Sequence, residues 1–178
     1  MHKDDIPPLF DSGFDACRFA YAYSSQQYAM TAMAKIMRGG SVGSGKGLVG
    51  LDGAAVAGTI KRHVEALDDQ SHAAIMSRHE LVRNHAAVAA GALVQFVIPA
   101  LGTAAHHRRM VLALVCKYFR IPDEKGRQYQ LSALCDQFGM SADTMTRRKA
   151  AAFRRLREIE SRAQGLIDDA LKDAGVVG

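Results

Sequence analysis

The chain has no tryptophan, and only 7% of its 178 residues are aromatic. Alanine, leucine and methionine are frequent instead, a balance that favours helices over sheets, because strands draw on aromatic and β-branched side chains. Cysteine is almost missing: Cys17, Cys116 and Cys135 are too few and too scattered for a disulfide framework or a C-x-x-C zinc pair. A reducing cytoplasm is the compartment this implies. Long apolar runs are short as well. The most apolar stretch, Ala86–Leu101, is interrupted by Gln95 and Pro99 and falls below the ~18 residues a membrane span needs, so it predicts a buried helix and no membrane partner. That helix could serve as a hinge core or as a contact with a second copy. No secretory leader is expected, since Met1–Phe10 carries Lys3, Asp4, Asp5 and two prolines, the pattern of a loose arm.

What is present is enough hydrophobic material, 48%, to pack one ordinary domain or two small ones. Charge is unevenly spread. The formal net charge is +5, yet from Arg108 to Arg162 thirteen lysines and arginines face six carboxylates. A basic half beside a nearly neutral half points to a polyanionic partner.

The densest information lies in Leu131–Arg157, LSALCDQFGMSADTMTRRKAAAFRRLR. Leu131, Leu134 and Phe138 share one helix face, Gly139 can close that helix in the left-handed region, and Met140 offers an apolar plug for a corner. Cys135 supplies a small side chain for close helix approach. Ser141 then suits the cap of a second helix, with Asp143 at the positive end of its dipole. In that second helix Met145, Ala152, Phe153, Leu156 and Ile159 form a predicted buried stripe. Thr144, Thr146, Arg147, Arg148 and Lys149 are turned wholly or partly outward. Arg154, Arg155 and Arg157 follow, and no carboxylate interrupts Arg147 to Arg157. Arginine at the front of such a helix suits guanine O6 and N7, and cations further along suit phosphates.

This segment resembles region four of bacterial sigma factors, in which an L-x-x-[small]-x-x-F-G-[apolar]-S/T turn leads to a helix ending [apolar]-R-[basic]-L-R. Leu131, Leu134, Cys135, Phe138, Gly139, Met140, Ser141, Met145, Ala152, Phe153, Arg154, Arg155, Leu156 and Arg157 hold those positions, and His107–Phe119 is similar to the preceding helix. Ala142 and Thr144 depart from the pattern, standing where many sigma factors carry arginine. Further back, Gly50–His79 resembles one class of phage late-gene antitermination proteins, the Q family, although the zinc-binding cysteines of another Q class are absent.

The resemblances imply an all-α, multi-helix protein with a C-terminal helix-turn-helix. They imply a sequence-specific DNA-binding transcription regulator of phage or mobile-element type, a Q-like antiterminator working with RNA polymerase in the bacterial cytoplasm. The DNA-binding residues would be Ser141, Thr144, Thr146, Arg147, Arg148, Lys149, Arg154 and Arg155, and the partners double-stranded DNA, RNA polymerase and a second copy of the chain. The alternative is an interaction module that docks on RNA polymerase without reading DNA. No enzyme, cofactor or metal is expected. His63, His72, His79, His85, His106 and His107 lack the i, i+4 spacing with an acid that zinc enzymes use, and no nucleophile–base set can be defined.

Four segments are expected: a helical arm over 1–38, a glycine-rich hinge over 39–53, a middle helical layer over 54–102, and the sigma-like domain over 103–174. In the arm, Phe14, Cys17, Tyr21, Tyr28, Met33 and Ile36 fall at helical spacings, and Ser24-Ser25 is a place to break the helix. Tyr21, Tyr23 and Tyr28 near Arg18 suit either core or a contact with nucleic acid or a partner. In the hinge, Gly40-x-x-x-x-Gly45-Lys46 imitates a phosphate-binding loop but is followed by Gly47 rather than Ser or Thr. The middle layer should hold a helix starting at Leu51 or Asp52, capped by Asp52, with Val56, Ile60, Val64 and Leu67 inward. A second should start at Ser71 on Ala74, Ile75 and Leu81. The acidic tail with Asp168, Asp169 and Asp173 should pack back on the protein through Leu166, Ile167, Ala170 and Leu171, fraying at Gly175.

Overall fold

The structure, a computed structural model, describes residues 8–29, 50–102 and 107–178. Met33, Ile36, the Gly40–Lys46 loop and His106 lie outside the described residues, as does the side chain of Tyr28. Seven α-helices account for the described fold, which is all-α: α1 (Gly13–Ala29), α2 (Gly50–Glu65), α3 (Asp69–His79), α4 (Arg83–Val97), α5 (Arg108–Phe119), α6 (Leu131–Phe138) and α7 (Ala142–Asp173). A short 3-10 helix over Ile98–Leu101 prolongs α4.

Two compact units divide the chain, one from residues 1–67 with 164–178 and the other from 68–163. This division cuts across the four segments expected above, because the end of α7 belongs with α1 and α2. In that unit α1 packs on α2. Gly53 permits the approach, since a Cβ there would lie 2.7 Å from the Tyr23 ring. Cys17, Ala20 and Tyr21 of α1 and Ala57, Ile60 and Val64 of α2 are buried. The α7 tail completes the unit: Ile167 and Leu171 are fully buried, and the Gly13 N–H donates to the Asp168 carboxylate. Gly175, at φ +69, ends α7, and Phe10 then pairs with Val177 in an isolated parallel bridge.

Three local expectations need correction. α1 continues through Ser24-Ser25 without a break. The modest helix cost of two serines is outweighed by the buried residues that precede them. Asp52 lies inside α2, which starts at Gly50, and is not its cap. Leu81 is 60% exposed beyond the end of α3.

In the second unit α3 packs on α4, and α4 on α5. Asp68 caps α3, its carboxylate accepting from the Ser71 N–H at 3.1 Å and the Ser71 hydroxyl at 2.9 Å, while Arg162 lies 3.2 Å away. Burial pushes this carboxyl up, but those partners outweigh it and hold it below its ordinary range. α4 is only half of the buried helix that was expected. Ala86, Ala90, Leu93, Val94 and Val97 are buried, whereas Val88 is 75% exposed and Ala92 and Gln95 are exposed too. Together with its 3-10 extension the segment Arg83–Leu101 is long and apolar enough to cross a membrane, by length and composition alone. The shortfall expected from Ala86–Leu101 therefore disappears once the helix is seen to begin at Arg83.

An ionic cluster ties distant parts of this unit together. Glu160 accepts from Arg78 Nε at 2.5 Å and Nη2 at 3.0 Å, and from the Tyr118 hydroxyl at 2.6 Å. Burial pushes the Glu160 carboxyl up, yet the bonds from Arg78 and Tyr118 and the Arg78 charge hold it below the usual range. The Arg78 guanidinium also lies over the rings of Tyr118 and Phe119, at 5.4 and 4.9 Å from their centroids.

Candidate nucleic-acid interface

α6 ends as its sequence predicts. Gly139 adopts φ +60, where a Cβ would be strained, and the Met140 N–H donates to the Cys135 carbonyl at 3.0 Å, closing the helix. Two residues later the chain turns into α7. The Ser141 hydroxyl accepts from the Thr144 N–H at 3.2 Å, the side-chain cap expected of it, and donates to the Thr144 hydroxyl at 2.9 Å. Leu134 is buried on α6, and Met145, Ala152, Leu156 and Ile159 on α7. Phe153 and Cys135 are only half-buried.

The opposite face of α7 is open. Asp143, Arg147, Ala150, Arg154 and Arg157 are all exposed, at intervals of three and four residues that keep them on one side, and Thr146, three residues after Asp143, is exposed with them. Arg147 to Arg157 spans about 15 Å along the axis at 1.5 Å per residue. Arg147 pairs with Asp143 one turn back, and both side chains remain mostly in water. An exposed pair of this kind is weak and exchangeable.

The remaining expected site residues sit nearer the protein. Ser141 is exposed with its hydroxyl used by the cap, and Thr144 is half-buried. Arg148 is half-buried and its Nη1 lies 3.3 Å from the Met140 sulfur and 3.5 Å from that of Met110. Lys149 rests its ammonium 5.4 Å from the Phe153 ring centroid. Arg155 donates from Nε to the Phe96 carbonyl at 3.4 Å and from Nη1 to Glu158 at 3.1 Å. Arg155 is thus partly a structural residue, and Arg157, which is exposed, is better placed for an external contact. The long-range bond to Phe96, 59 residues away, leaves no local signal in the sequence.

The stretch between α5 and α6 adds features that spacing alone does not reveal. Asp123 organises it: its carboxylate accepts from the backbone N–H groups of Lys125 and Arg127 and from the Arg127 guanidinium. Those bonds, the Arg127 N–H first, hold its carboxyl below the ordinary range. Arg127 to Gln130 and Ala133, Leu134 and Gln137 of α6 line a cleft of about 420 Å³.

Among the described residues no group of three or more histidines, cysteines or carboxylates is placed to hold a metal ion. Cys17 and Cys116 are buried thiols whose pKa burial raises to about 12 and about 11, which keeps both protonated and unreactive. No protein-family model, no curated protein and no solved structure matches the chain.

Proposed function

We propose that α6, the Gly139–Ser141 corner and the front of α7 form a helix-turn-helix that binds duplex DNA, and that the protein is a transcription regulator. The observation that carries this reading is the open face of α7, where Thr146, Arg147, Arg154 and Arg157 reach solvent on one side while Met145, Ala152, Leu156 and Ile159 are buried on another. A hydroxyl and an arginine at the front of a capped helix suit base edges in a major groove. Arginines about two and three turns further on suit phosphates. Ser141, Thr144, Arg148, Lys149 and Arg155 border that face; Arg148 and Lys149 can swing outward at the cost of weak sulfur and ring contacts.

The more specific form is a Q-like antiterminator of phage type acting with RNA polymerase. Its support is the likeness of Gly50–His79, which folds as α2 and α3, and of the sigma-like segment after it. A second reading, docking on RNA polymerase without reading DNA, draws on the Asp143–Arg147 pair, which places a carboxylate at the very front of α7.

Duplex binding measured by anisotropy across a salt series tests the proposal. With about six cations on phosphates, log affinity should fall against log salt with a slope near −5. Selection from a random duplex pool should return one motif, and Arg147→Ala should relax it at one or two positions, while Arg154→Ala weakens all sequences alike. A flat salt response, or a selected pool without a motif, overturns sequence-specific binding.

A further inference from the structure

Five described residues have positive φ: Gly102, Gly126, Gly139, Gly175 and Arg120. At four of these left-handed positions the chain uses glycine, the residue that meets no Cβ clash there. At the fifth, the cap of α5, it places an arginine at φ 60 and ψ 30. The local hydrogen bonds are those any glycine would serve, the Arg120 N–H reaching Lys117 O at 3.4 Å and the Ile121 N–H reaching Cys116 O at 2.9 Å. A strained arginine where glycine would do implies a use for its side chain.

That side chain is exposed, and among the described residues it has no hydrogen bond or ion pair. Its backbone, by contrast, is fixed: Gln128 Nε2 donates to the Arg120 carbonyl at 3.2 Å, and Asp123 holds the following turn. Asp123, three residues further along the chain, is engaged by Arg127, and Glu124 is the exposed acid that remains on this stretch. Favouring the negative end of α5 does not require this arrangement, because Lys117 supplies a cation in the last turn from a right-handed position. A planar, permanently charged fork held on a rigid backbone suits a phosphodiester oxygen.

We propose that Arg120 anchors a phosphate of duplex DNA, a contact outside the α7 face. This rests on the DNA-binding reading above. The test uses the full chain with Arg120→Gly, Arg120→Lys and, as a reference, Arg154→Ala, read by anisotropy on one duplex over a salt series and by thermal denaturation. Arg120→Gly should melt no lower than wild type, since it relieves the left-handed strain, yet should bind about tenfold more weakly with a salt slope shallower by about 1. Arg120→Lys should keep the slope. Wild-type affinity and slope in Arg120→Gly, beside a weakened Arg154→Ala, would overturn the anchor and leave DNA binding standing. A lower melting temperature with unchanged slope would make Arg120 structural and overturn it too. Failure of wild type to bind duplex would overturn DNA binding itself, and the anchor with it.

Discussion

Replacing Glu160 with alanine is the sharpest test of how the second unit is held together. Glu160 keeps only 13% of its side chain exposed and Arg78 25%, and three hydrogen bonds of 2.5 to 3.0 Å converge on the carboxylate. The substitution leaves a partly buried guanidinium without its counter-charge and removes the acceptor of a phenol. Breaking a buried pair costs about 3–5 kcal/mol, and a quarter-exposed arginine recovers part of that from water, so about 2–3 kcal/mol is expected. For a chain of this length that lowers the melting temperature by roughly 4–12 °C. Circular dichroism on heating measures it. Because the Glu160 carboxyl is held below its ordinary value, its contribution is present above the unfolded pKa and lost as pH falls through the folded one. Glu160→Gln should therefore flatten the acid limb of the stability profile, starting below about pH 4.5. A melting point for Glu160→Ala within about 2 °C of wild type would show that water replaces the cluster and that it holds nothing.

Other outcomes follow from the same packing. Burial, and after it the bond to Glu160, raises the Tyr118 phenol to about 12. The stability it contributes is complete below its ordinary pKa of about 10 and is lost as pH rises toward 12, and Tyr118→Phe should remove that alkaline step in a pH-jump denaturation series. Ser141→Ala should cost about 1 kcal/mol in urea unfolding and Ser141→Gly only a few tenths, because glycine tolerates the cap geometry. Gly139→Ala should cost about 1–2 kcal/mol through the left-handed backbone, with no change in the slope of the urea transition.

The helices beside the candidate interface were legible because their signals are local. Gly139 closes α6, Ser141 caps α7, and Leu134, Met145, Ala152, Leu156 and Ile159 are buried at the spacing their sequence shows. What escaped depends on residues far apart in the chain. Nothing near Arg155 announces Phe96, and nothing near Glu160 announces Arg78, 82 residues earlier. Arg148 looked outward by spacing, yet two methionine sulfurs draw it partly in. Apolar content also misjudged α4, since a predominantly apolar run does not say which of its faces finds a partner.

The residues of α7 are shared by both compact units, with Ala163 in one and Gln164 in the other. The chain therefore cannot be dissected by a single cut. A fragment covering 68–163 is continuous, whereas one ending at residue 67 lacks Ile167 and Leu171, both fully buried in the 178-residue chain, and the Asp168 carboxylate that receives the Gly13 N–H. A fragment cut off after residue 67 would be left with unfilled core, and supplying residues 164–178 as a separate peptide is the natural way to restore it.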